Sequence, residues 1–176
     1  MSKTLILFSG GVESTALLTT AGPNDILVTI KPIIKNYIAT YNPNTVEKIA
    51  SYYNKKINYV TINIPSTGNN FVHQIWYFVS IASLWVARDP SITSVVSGRH
   101  SKEPTPENKP AFDILLSAWN VMHPTVPFLF PNGHLTKLEQ WNMIPADVKP
   151  LVSSCFFTPK CGTCHKCKEV KELIYS

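Results

Sequence analysis

Short apolar runs recur along this 176-residue chain, and stretches with helical spacing separate them. "TLILF", residues 4–8, is apolar and stopped by Ser-Gly-Gly, the pattern of a short buried strand. Ile26–Lys31, the alternating Ile57–Ile64, Ser94–Gly98 and "VPFLF" read as further strands. The spacing predicts helices from Ser14 to Leu18, over Thr45–Asn54 with Asn44 as N-cap, and over Asn70–Arg88. Ala111–Val121, Lys137–Asn142 and Lys166–Ile174 complete the set. Alternating strands and helices predict an α/β fold, a Rossmann-like parallel sheet with helices on both faces. Trp76, Tyr77, Phe78 and Trp85 fall on the apolar helix and read as core.

The first strand and helix are joined by "SGGVES". Gly10 and Gly11 permit unusual backbone angles and close approach of a ligand. A strand, a glycine loop and a helix start point bare N–H groups at an anion, and Ser9, Ser14 and Thr15 add hydroxyl donors. The spacing matches neither a Walker loop nor a dinucleotide fingerprint. A tight turn without a ligand has the same sequence form. Ligands of parallel sheets lie beyond the C-terminal strand ends, where Ser9, Lys31, Gly98 and the loop after Gly98 are expected. Pro104, Pro106 and Pro110 crowd that loop, whose length marks it as functional or disordered.

All four cysteines lie near the C-terminus, as Cys155-x5-Cys161-x2-Cys164-x2-Cys167. C-x-x-C pairs close tiny loops and make poor disulfide staples, and "MSKTLILF", with one Lys and a short apolar run ahead of glycines, is not expected to act as an export signal. Four thiolates at these separations suit one tetrahedral Zn²⁺, a closed structural site. Redox dithiols, free thiols, or His165 in place of one cysteine are the other readings of this spacing. The formal charge of +5 suits an anionic ligand but is too mild and too evenly spread to predict direct nucleic-acid binding. The longest apolar stretch, around Ile75 to Ala87, is too short and too polar to span a bilayer. A soluble, cytoplasmic protein with no membrane partner is expected. Residues 1–150 read as a nucleotide-binding α/β domain and 151–176 as a zinc-binding segment packed on it.

"SGGVES" resembles the SGGxDS pyrophosphate loop of the N-type ATP pyrophosphatases, with Glu13 where Asp is usual. Together with "SSCFF" and "CGTCHKC", it is similar to the 7-cyano-7-deazaguanine (preQ0) synthases of the QueC family. Thr136 and Lys137 fall on that family's Ser/Thr-Lys pair, and "VVSGRHSKEPTPENKPAF" echoes its strand, glycine and proline-containing loop. The family's Y-G-Q-R-H and R-N segments have no clear match here. The resemblance implies ATP as substrate, Mg²⁺ bridging phosphate oxygens, a zinc-bound C-terminal loop and a homodimer.

The activity it implies is an ATP-dependent ligase. 7-Carboxy-7-deazaguanine is adenylated, ammonia converts it to the amide, and a second activation dehydrates the amide to the nitrile. Alternatives are a variant stopping at the 7-amido-7-deazaguanine amide, and a degenerate protein binding a nucleotide or deazapurine. Another superfamily member, such as a tRNA-modifying enzyme, is a third reading, disfavoured by the lack of a basic domain. Lys137, Ser14 and Arg99 are the catalytic candidates. Phe8, Ser9, Gly10, Gly11, Val12, Glu13, Ser14, Thr15, Lys31, Gly98 and Thr136 are the nucleotide-binding ones. Lys137 suits the charge on a leaving pyrophosphate, Arg99 a substrate carboxylate, and His100 proton transfer. Exposed surface roles are the plain alternatives for Lys31, Lys35, Arg99 and Lys137.

Overall fold

The computed structural model describes residues 2–34, 43–64, 70–102, 104, 106, 108–153, 162–163 and 165–175. Five parallel strands form one sheet: β1 (Lys3–Leu7), β2 (Ile26–Ile34), β3 (Ile57–Ile64), β4 (Ile92–Ser97) and β5 (Phe128–Leu129). Their order across the sheet is β3-β2-β1-β4-β5. The helices are α1 (Val12–Leu17), α2 (Pro43–Tyr52), α3 (Asn70–Arg88), α4 (Lys109–Met122), α5 (Lys137–Met143) and α6 (His165–Tyr175). This is the α/β architecture that the alternating pattern predicts.

Side chains alternate across a strand, so a sheet covered on both faces needs apolar residues at successive positions. β1 meets that demand. Leu5 and Leu7 join one core with Val28, Val95 and residues of α3 and α4. Ile6 and Phe8 join the other, with Leu27, Val96 and residues of α1, α2 and α5. Leu5, Ile6, Leu7 and Phe8 are all at most 2% exposed; burying each contributes about 1.5–3 kcal/mol. α6 lays Val170 and Leu173 against the second core, beside Val152.

Two local irregularities explain strand ends that the sequence misplaces. β4 starts at Ile92 rather than Ser94, and its register against β1 slips between Lys3 and Thr4. The extra residue, Thr93, lets Ile92 and Val95 face the same core despite their odd spacing. β2 runs on to Ile34 through Pro32. Val28 O accepts from Phe8 N, so the even-numbered residues of β2 turn their backbone groups toward β1. β1 has already ended at that level, and the missing Pro32 N–H has no ladder partner to lose. α2 starts at Pro43, which puts Asn44 inside the helix rather than at its cap. The proline's fixed φ suits that first position.

Winding proceeds outward from β1 in both directions, so β1 and β4 flank the point where strand order reverses. A crevice opens beyond the carboxyl ends of such a pair. No helix among the described residues is long and apolar enough to cross a membrane.

Candidate active site

The loop that follows β1 lies at this switch point. Gly10 has φ +77°, a left-handed conformation that glycine adopts without penalty, and a Cβ there would meet Val46 Cγ2 at 3.0 Å. Gly98, just past β4, packs flat on the same loop. A Cβ on it would fall 2.6 Å from both the Glu13 carbonyl carbon and the Ser14 nitrogen. The loop hydroxyls knit the turn together. Ser14 Oγ accepts from Ser9 N at 3.2 Å, lies 3.0 Å from Ser9 Oγ, and donates to Gly11 O at 3.3 Å. Ser153 N donates to Gly10 O at 3.0 Å and ties the C-terminal segment to the loop. Gly11, the N-cap of α1, provides no side-chain acceptor, so among the described residues no side chain caps the first-turn amides.

Lys137, the first residue of α5, stands over this loop. Its Nζ is 2.8 Å from Glu169 Oε2 in an aligned hydrogen bond. It is also 2.9 Å from Glu13 Oε1, an ion pair set off the hydrogen-bond direction, since that oxygen has no aligned donor. Burial pulls the Lys137 ammonium down, but Glu13 and Glu169 together outweigh it and hold the pKa above its ordinary 10.5. His100 Nε2 lies 4.0 Å from Glu13 Oε1 and forms an ion pair when protonated. A half-buried lysine between two carboxylates, with a histidine alongside, is therefore assembled from α1, α5, α6 and the loop after β4.

α5 is fixed by its cap. Thr136 Oγ1 accepts from Glu139 N, and Glu139 Oε2 accepts from Thr136 N, a complete capping box. This bonding draws the Glu139 carboxyl below its ordinary value.

Ser9, Gly10, Gly11, Glu13, Ser14, Gly98 and Lys137 lie together here, with His100 among them. Phe8 and Val12 are fully buried, so their side chains brace the loop from the core. Both backbone groups of Phe8 are engaged, by Val28 O and by Thr29 Oγ1. Thr15 is also fully buried. Thr136 spends its hydroxyl and its amide on the cap. Lys31 departs from the expected placement. It lies within β2, opposite Thr61, is exposed, and makes no ion pair or hydrogen bond with the loop among the described residues.

Arg99 is not an exposed surface residue. It is half-buried, with its guanidinium over the rings of Phe112 and Phe130. Trp76 departs from the core reading at 43% exposed, whereas Phe78 and Trp85 pack on the core. Lys35, Cys155, Cys161 and Cys164 lie outside the described residues, and Cys167 is half-buried on α6. Glu169, Asn132 and Gln140 carry no sequence signal that marks them. The capping box was legible as Thr136-x-x-Glu139.

No protein-family model and no curated protein matches the chain. Among solved structures it is similar in fold to the U34-tRNA thiolase NcsA from Methanococcus maripaludis, determined with its [4Fe-4S] cluster. The TM-score is 0.61 at 15% identity, covering 98% of this chain and 64% of the thiolase. The chain thus spans less than two thirds of that protein's length. A predicted subunit of tRNA methyltransferase from Methanocaldococcus jannaschii matches at 14% identity over 99% of this chain and 88% of its own, with a TM-score of 0.42.

Proposed function

We propose that the chain splits ATP between its α- and β-phosphates to adenylate a carboxylate, in the manner of the N-type ATP pyrophosphatases. The proposed acid is 7-carboxy-7-deazaguanine, with ammonia as the second substrate and preQ0 as the product. What carries this reading is the loop from Ser9 to Ser14 at the switch point, closed by Gly98 and faced by Lys137. The fold shared with a tRNA thiolase supports it at the level of architecture.

A carboxylate is a poor electrophile, so one of its oxygens must become a leaving group. In this reading a carboxylate oxygen attacks the α-phosphorus and the bond to the β-phosphate oxygen breaks. Pyrophosphate leaves, and an acyl adenylate remains. Ammonia then adds to the acyl carbon, expels AMP and loses a proton to give the amide. The amide oxygen then attacks the α-phosphorus of a second ATP and releases a second pyrophosphate; loss of AMP and of the two nitrogen-bound protons gives the nitrile. Ser9, Ser14 and the amides of the first turn would hold the phosphates. Lys137 would meet the charge that develops on the departing pyrophosphate.

The donor set also fits a hard divalent cation. Glu13 offers a carboxylate, a donor type that suits Mg²⁺, and its Oε1 is paired with the Lys137 ammonium at 2.9 Å, which a bound cation would displace toward the phosphates. Such an ion, held by Glu13, would neutralise phosphate charge. Cys155, Cys161, Cys164 and Cys167 would hold zinc, whose preferred donors are thiolates. The zinc would fix the C-terminal segment, from which Glu169 reaches Lys137.

Incubation with ATP, Mg²⁺, ammonia and the acid tests the reading. AMP with the nitrile mass is expected, and Ser14→Ala should abolish AMP formation. An amide mass would shorten the reaction to its first half. Adenylation of a tRNA in place of the acid would support the second reading, which the thiolase fold favours. No AMP with either substrate would leave a binding protein and refute catalysis.

A further inference from the structure

Lys137 occupies a poor place for a cation. It is the first residue of α5, where the leading N–H groups of a helix make its positive end. Its side chain is only 12% exposed, so water offsets little of that cost. Two carboxylates do so instead, and they hold the ammonium differently. Glu13 Oε1 is 2.9 Å from Nζ but off the hydrogen-bond direction, whereas Glu169 Oε2 accepts an aligned hydrogen bond at 2.8 Å. A lysine ammonium carries three donors on a flexible stem. The aligned bond fixes one donor and so sets where the other two can point.

Glu169 comes from α6, and α6 is seated independently of that bond. Val170 and Leu173 pack against the core that also holds Phe8 and Val12. Leu173 stands one turn after Glu169 on the same side of the helix, so its burial keeps Glu169 turned toward Lys137. The C-terminal part of the chain meets the loop a second time. Ser153 N donates to Gly10 O at 3.0 Å. The C=O and N–H of a trans peptide point opposite ways, so this bond turns Gly11 N away from Ser153 and toward Ser9 Oγ, at 3.4 Å. Both the loop backbone and the lysine are therefore held from residues beyond 150.

We infer that Glu169 is a positioning residue, carried by α6 to the nucleotide site, where its carboxylate aims the Lys137 ammonium at the departing phosphates. This rests on the adenylation reading above, in which Lys137 meets the charge of the leaving pyrophosphate. Glu13 exchanges the ammonium for the cation, while Glu169 keeps its hold on one donor and leaves the others to the phosphates. The opposite role is that of a competing anion. A carboxylate that only repelled the phosphates would weaken their binding, and its removal would tighten it. The two roles differ in sign.

Titration calorimetry with inorganic pyrophosphate and Mg²⁺ separates them, because pyrophosphate carries the charge of the leaving group. Glu169→Ala should weaken its binding by about 10- to 100-fold, the range of hydrogen bonds to a charged group. Glu169→Gln keeps an acceptor without the charge and should fall between; it carries the comparison if the alanine variant fails to fold. Glu172→Gln removes the same charge from an exposed position of α6 and should leave binding within about twofold. In a Lys137→Met background, Glu169→Ala should cost nothing further, because Glu169 acts through the lysine. Full additivity of those two changes, or tighter binding by either Glu169 variant, overturns the role. A parent that does not bind pyrophosphate overturns the loop assignment and this role with it. The expected pattern of binding with no AMP formed from the acid would refute adenylation and leave Glu169 as the residue that positions Lys137.

Discussion

Replacing Gly98 with alanine probes the seam between β4 and the loop. The new methyl carbon would sit 2.6 Å from the Glu13 carbonyl carbon, 2.6 Å from Ser14 N and 2.8 Å from Glu13 Cβ. Two of these three atoms are backbone, so no side chain can swing away to make room. Either strand end or loop must shift by most of an ångström. Overpacking of this kind costs about 1–3 kcal/mol. For a domain of this size that is a fall in Tm of roughly 2–12 °C. Misplacing a binding loop by about 1 Å weakens function by about 100-fold. Gly22→Ala is the matched control. Its Cβ would meet nothing closer than Asp25 Oδ2 at 3.5 Å, an ordinary contact. Thermal melts and titration with a nonhydrolysable ATP analogue should separate the two variants on both counts. A Gly98→Ala protein that melts and binds like the Gly22→Ala control would refute the claim that strand end and loop form one fitted surface.

Four other outcomes are expected, three from the geometry and the last from the cysteine spacing. Lys137→Met leaves Glu13 and Glu169 with their shared ammonium removed; side chains only 12–24% exposed place the loss at about 2 kcal/mol, between exposed and buried pairs. Adding Glu13→Gln should recover part of that in chemical denaturation. Because the folded pKa of Lys137 stands above 10.5, its stabilisation is complete below that value and fades as pH climbs through the raised one; the parent's advantage over Lys137→Met should shrink only there. Thr136→Ala removes the capping hydroxyl of α5 and should cost about 1 kcal/mol in urea unfolding, and a loss below a few tenths would contradict the cap. Elemental analysis should find about one zinc per chain; iron with inorganic sulfide would replace zinc by a cluster, and metal-free folded protein would remove the site.

The sheet was legible because burial on both faces writes itself into residues 5–8 as an unbroken apolar run. β3 and α3 begin and end where their sequence patterns do. β2 and β4 were cut short because a proline and an odd spacing read as breaks; only neighbouring strands reveal that Pro32 loses no partner and that Thr93 is a bulge. The glycine loop was legible from local composition. Lys137 was marked only through the family resemblance, and Glu169 not at all, because it reaches Lys137 from a helix far along the chain. Arg99 shows the same limit. From the sequence it reads as a surface residue or a carboxylate ligand; the fold half-buries it and lays its guanidinium over two phenylalanines, a contact no local pattern shows.

A crystal structure with a nonhydrolysable ATP analogue and Mg²⁺ tests the central claim most directly. The triphosphate should lie on the backbone around Gly10 and Gly11, with Lys137 Nζ on a phosphate oxygen. A triphosphate bound elsewhere, or an empty loop with the Lys137–Glu13 pair intact at saturating analogue, would contradict it.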